Sequence, residues 1–131
     1  MPYKAKLTTM IYFNLMENIT INIVNTVGNT FCVEAQDGQK VFELIKKVFT
    51  ENRKITLSFL NIEMLTTAFL NTAVGQLYKD FTEDFIKENL KVENLSASGA
   101  VALKRVVETA KLYYKDPEAM QRSINDIMGE Q

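Results

Sequence analysis

A chain of 131 residues with 47% hydrophobic and 24% charged side chains has the make-up of one globular domain, able to bury roughly two-thirds of its unfolded surface without covalent staples. Its 15 basic and 16 acidic residues leave a net charge of −1, so no basic field exists to grip nucleic acid or anionic lipid. Histidine is absent, which removes Ser-His-Asp and Cys-His catalysis, imidazole general bases and histidine metal sites in one step.

Residues 1–15 read as an N-terminal extension that adds an edge strand through Met10–Phe13, or as the product of an upstream start codon. Leu7–Leu15 has neither the charge layout nor the cleavage site of a signal peptide, and no apolar run reaches the about 18 residues of a membrane span. A cytoplasmic protein is expected. The domain proper is expected at 16–117, with 118–131 as a polar, helical C-terminal tail.

Ile19, Ile21 and Ile23 alternate with Thr20 and Asn22, the period of a strand with one buried face. Val27-Gly28-Asn29-Thr30 has turn chemistry and Phe31–Ala35 is the next run, so the two form an antiparallel hairpin. Cys32, the one cysteine, lies in this second run; it cannot form an intramolecular disulfide and reads as a small buried hydrophobe. Asp37 is placed to cap a helix in which Val41, Leu44, Ile45 and Val48 recur at helical spacing, ending near Glu51-Asn52.

Ile55–Leu60 reads as a buried strand, followed by a loop at Asn61–Leu65 and a helix opening at Thr66-Thr67. In that helix Phe69, Leu70, Ala73, Val74, Leu77, Tyr78 and Phe81 make a broad apolar stripe. Gly75 within it signals close approach of the helix to the sheet. Thr82-Glu83-Asp84 starts a shorter helix, with a hydroxyl cap and two carboxylates at the positive end of the dipole. Leu90, Val92 and Leu95 suggest a short strand, and Ser96 or Ser98 caps a long helix buried through Leu103, Val106, Val107, Ala110 and Tyr114. Asp116-Pro117 breaks it. Single helical crossovers imply parallel pairing after the hairpin, hence a mixed sheet with packed helices.

No catalytic, cofactor or metal constellation emerges. Neither GxGxxG nor GxxxxGK occurs, and Ser96-Ala97-Ser98-Gly99-Ala100 reads as an ordinary cap. Glu83-Asp84 and Asp116 with Glu118 lie in polar stretches where nothing would move their pKa values toward neutrality, so they read as solvated surface. Oxygen ligands at calcium-loop spacing are missing.

The most informative stretch is the junction Glu63-Met64-Leu65-Thr66-Thr67-Ala68-Phe69-Leu70-Asn71. Leu57–Leu70 resembles the signature of the STAS domain (sulphate transporter and anti-sigma factor antagonist), in which a strand leads through an Asp-Ser-Ser/Thr-Gly-type turn into a helix. Phe31–Pro117 is similar to the STAS-like domain family of uncharacterised bacterial proteins, on the segments FCVEAQDGQKVFELIKK, TTAFLNTAVGQLYKDF, ENLKVENLS and LKRVVE. This resemblance implies an α/β, STAS-like fold and a regulatory module that works by docking, without turnover. It implies a protein partner, a histidine-kinase-like ATPase or an anti-sigma factor, and a hydroxyl phosphorylated after the turn's acid. Thr66 falls at the acid's position and Thr67 at the phosphoacceptor's, while Phe69 occupies the place of the small glycine.

Three readings follow. A non-enzymatic interaction module would dock its partner through Asn61, Thr66, Thr67, Phe69 and Asn71, with the neighbouring loop Asn25–Thr30. A small-molecule or nucleotide binder would use the same crevice, beyond the carboxyl ends of the strands, or the helix start at Ser96–Ala100. A homo-oligomer would pair through the first strand's edge or the C-terminal tail.

Overall fold

The computed structural model describes residues 18–115 and 117–129; the expected edge strand at Met10–Phe13 lies outside them. Three strands, β1 (Asn18–Asn22), β3 (Lys54–Ser58) and β5 (Leu90–Glu93), form a parallel sheet in the order β1-β3-β5. The central β3 carries Ile55 and Leu57 in the core, and its polar Thr56 and Ser58 are buried too. Both hydroxyls are partnered: Thr56 donates to Asn18 Oδ1 at 3.4 Å, and Ser58 Oγ accepts from Asn94 Nδ2 at 3.1 Å. That satisfaction is what lets two polar side chains occupy a central strand.

The antiparallel hairpin does not form. After Asn22 the chain enters a short helix, α1 (Ile23–Val27), which ends on Gly28 at φ 78°, the left-handed conformation that glycine adopts without steric cost. This carries the next run away from β1, so β2 (Phe31–Cys32) pairs in parallel with β4 (Met64–Leu65) in a separate ribbon. Strand β1 pairs with β3 instead, Ile19 opposite Ile55 and Ile21 opposite Leu57. All strand pairs among the described residues are therefore parallel, and the expected mixed sheet is corrected to parallel sheets with helical crossovers.

Helix α2 (Ala35–Thr50) begins three residues before the start expected with Asp37 as cap. Its N-cap is Glu34, whose carbonyl accepts from Asp37 N and Gly38 N at 3.2 Å each, so Asp37 lies inside the first turn and pairs with Lys40 at 3.3 Å. Val41, Phe42, Ile45, Val48 and Phe49 face the core. The helix after β4 is interrupted: α3 (Thr67–Leu70) passes through a π-helical turn at Asn71–Gly75 into α4 (Leu77–Asp80). Thr82 caps α5 (Glu83–Asn89) by accepting from Phe85 N at 3.2 Å, as its sequence predicts. The rings of Phe81 and Phe85 stack, and each meets Phe49 edge-on at 5.2 Å, joining α2 to the α4–α5 corner.

Asn94, at φ 60°, turns the chain after β5, so Leu95 lies outside the strand. Ser96 Oγ accepts from Gly99 N at 3.0 Å at the start of α6 (Ala97–Lys115), which buries Val106 and Ala110. Gly75 lies against this helix and not the sheet, its nearest neighbours being Val106 and Ala110. Helix α7 (Pro117–Met128) follows.

Candidate functional site

Beyond the carboxyl end of β3 the chain makes a tight turn. Phe59 stays buried, Asn61 adopts φ 65°, and Ile62 N donates to Phe59 O at 3.2 Å. Asparagine tolerates this left-handed conformation better than most residues. The turn is then tied to the segment before β2: Glu63 N donates to Thr30 O at 2.8 Å, and the Thr30 hydroxyl donates to Glu63 Oε2 at 2.5 Å. The loop ending at Thr30 thus stands beside the junction, fixed by bonds that span 33 residues of sequence.

Thr66 closes the ledge. Its N–H donates to Cys32 O at 3.1 Å, its hydroxyl accepts from Phe69 N at 3.2 Å, and the same hydroxyl donates to Val33 O at 2.8 Å. One side chain therefore caps α3 and anchors it to the end of β2. Thr67 is the first residue of α3 and is exposed, as are Asn61 and Asn71. Cys32 beneath them is fully buried, and its thiol is pushed up to about 11 by burial and then by the charge of Asp37.

Between this turn and the start of α6 lies a cleft of about 390 Å³, lined by Leu60, Asn61, Met64, Asn94, Ser96 and Ser98 among others. Its lining contains no lysine or arginine. Among the described residues no cluster of three or more His, Cys, Asp or Glu could hold a metal ion, and no helix is long and apolar enough to cross a membrane.

Residues 37–100 match the model of a family described as a STAS-like domain of unknown function (DUF4325). Over those residues the chain is similar to that STAS-like family. The match is shorter than the Phe31–Pro117 stretch on which the resemblance was read, and covers just under half of the chain. It takes in most of α2, β3, the ledge, β5 and the first turn of α6, and leaves out β1 and β2. No curated protein and no solved structure matches.

Within the matched stretch, the expectation for Phe69 is corrected. It is 0% exposed and belongs to the core, so it offers no surface to a partner. Its neighbours explain this: with Thr66 as cap, the apolar stripe from Phe69 onward turns inward, and its carbonyl lies against Gly38 of α2. Thr66 is half-buried and occupied by its two hydroxyl bonds. A carboxylate there could cap α3 but could not donate to Val33 O, which accounts for threonine at the acid's position.

The structure also brings forward residues that the sequence reading passed over. Phe31, Leu60 and Met64 are 47%, 52% and 52% exposed, and Phe31 is the register partner of Met64 across β2–β4. Met64 was legible as an apolar residue in the loop Asn61–Leu65, with no periodic reason for burial. Phe31 and Leu60 were not, because their runs read as buried strands.

Proposed function

We propose that this STAS-like domain is a non-enzymatic, cytoplasmic regulatory module that docks a protein partner through the ledge at Asn61, Thr66, Thr67 and Asn71. The partner is a histidine-kinase-like ATPase or an anti-sigma factor, as the likeness to anti-sigma-factor antagonists suggests. The observation that carries this reading is the exposure of Leu60 and Met64, with Phe31 opposite Met64 across β2–β4, in the segment that leads into exposed Thr67. Single exposed apolar residues are commonplace, but neighbouring ones rimmed by polar groups mark contact surfaces.

Thr67 is the phosphoacceptor in this proposal. A phosphate there adds about −1.5 to −2 charges at a helix N-terminus, which tolerates them, and places bulk beside the apolar group, which a partner would not. The experiment is affinity capture with the wild type, Met64→Asp and Thr67→Glu, followed by identification of what is retained. An ATPase of the kinase-like class, or an anti-sigma factor, should be held by the wild type and lost by both variants. Interactors that survive both changes place the contact elsewhere.

A second reading is favoured by one feature, the cleft of about 390 Å³ beside the same turn, which is of the size that takes small ligands. A nucleotide or other small molecule at 100 times its dissociation constant would stabilise the fold by about 2.7 kcal/mol, which a thermal-shift screen reads directly. A screen without any shift removes that reading.

A further inference from the structure

Strand β5 is an edge: among the described residues it pairs with β3 alone. Glu93 O accepts from Phe59 N at 3.0 Å, so the backbone groups of Glu93 point inward. Because N–H and C=O alternate sides along a strand, those of Val92 point outward, unclaimed by β3. Natural edges of this kind are usually blocked by a charged side chain, and Lys91 stands here. What sets this edge apart is that Lys91 is followed two residues later by Glu93, the two joined at 3.2 Å on the exposed face.

We propose that two copies of the chain join edge to edge through β5, antiparallel about a two-fold axis at Val92. In that register the outward N–H and C=O of Val92 exchange two hydrogen bonds with the partner's Val92. Lys91 then lies opposite the partner's Glu93, and Glu93 opposite the partner's Lys91. These are non-hydrogen-bonded positions, where side chains across an antiparallel pair come closest. The residue that would block any other strand becomes a matched partner for this one. Charge complementarity selects a second copy as the occupant, since an unrelated strand would need the same Lys-x-Glu spacing by chance.

The apolar side fits the same arrangement. Two adjoining hollows of about 200 and 530 Å³ flank β5 and share Val92, Leu103, Val107 and Lys111. The partner's Val92, on the same face as Val92, would bring apolar surface to this groove. The closed product is a six-stranded sheet with isologous symmetry, independent of the ledge and of its docking role.

The test is light scattering and sedimentation of the full chain over a concentration series, with circular dichroism to confirm the fold of each variant. The wild type should self-associate to a dimer. Lys91→Glu sets two pairs of carboxylates against each other and should raise the dimer dissociation constant by roughly tenfold. Glu93→Lys should do the same by opposing lysines, and the double exchange Lys91→Glu with Glu93→Lys should restore the wild-type value. A wild type that stays monomeric throughout overturns the proposal. So does a dimer indifferent to the single changes, or one that the double exchange fails to rescue.

Discussion

Gly38 is the residue on which the spacing of α2 against the ledge depends. A Cβ built there would lie 2.6 Å from Phe69 O, 3.0 Å from Thr72 Cβ and 3.2 Å from Ala73 N. Two of those three atoms are backbone in the α3 and π-helical stretch, held by the Thr66 cap and by Gln76 N donating to Asn71 O at 3.0 Å, so they cannot swing aside as a side chain would. Replacing glycine by alanine inside a helix normally gains about 1 kcal/mol, whereas overpacking of this kind costs about 1–3 kcal/mol or more. Gly38→Ala should therefore lose a net ~1–2 kcal/mol and lower Tm by roughly 3–10 °C, measured by urea titration and by calorimetry. Gly75→Ala is the matched control: its Cβ would meet Val106 Cγ1 at 3.5 Å and Ala110 Cβ at 3.8 Å, ordinary contacts, so little loss is expected. A Gly38→Ala protein as stable as wild type, or a Gly75→Ala protein that suffers more, would refute the reasoning.

Thr66→Val removes both hydroxyl bonds and should cost about 1–2 kcal/mol, with Thr66→Ser recovering most of it in the same denaturation assay. Thr66→Asp keeps the cap but sets a carboxylate against Val33 O, so it should fall between wild type and valine. Cys32 should resist a disulfide reagent at neutral pH until urea unfolds the chain; equal rates in native and unfolded protein would contradict its burial. Because its folded pKa of about 11 lies above the ordinary 9.0, the neutral thiol's contribution to stability is full below pH 9.0 and is lost as pH rises through 11. Lys111 donates to Glu83 at 2.8 Å between α6 and α5, which holds the Glu83 carboxyl below its ordinary 4.5 and Lys111 above 10.5. The carboxylate's contribution is thus present above pH 4.5 and lost as pH falls through the folded value, so Lys111→Met should flatten the acid limb of Tm slightly. An unchanged acid limb would show that solvent screens the pair completely.

Helices were legible in this sequence wherever a local rule sufficed. The stripe from Val41 to Val48 and the Thr82 and Ser96 caps each depend on neighbours within a turn or two, and each is found in the structure, while the break expected at Asp116-Pro117 falls partly outside the described residues. Strand pairing is different in kind. Ile19 and Ile21 announce a buried face, but nothing in β1 says whether its partner is Phe31 a few residues on or Ile55 across a crossover; that is decided by α1 and Gly28, which turn the chain before a hairpin can close. The run Ile23–Val27 satisfies strand periodicity and short-helix geometry alike, so local pattern could not arbitrate.

The site divides along the same line. Thr66 and Thr67 could be placed at the start of a helix because a hydroxyl before an apolar stripe is a local signal. Phe69 was misplaced because the comparison with a glycine-bearing turn described the backbone position and not the direction of the side chain: one residue into the helix, the stripe already faces inward. The exposed apolar side chains are instead Leu60, Met64 and Phe31, the last brought opposite Met64 by the β2–β4 pairing and by the Thr30–Glu63 and Thr66–Val33 bonds between segments 33 residues apart. One hydroxyl serves both segments, since Thr66 Oγ1 accepts from Phe69 N at the start of α3 and donates to Val33 O. A partner held at Met64 would press on the segment leading into α3, whose Phe69 O lies against Gly38 of α2. Contact at the surface and packing in the core are coupled here through two backbone carbonyls.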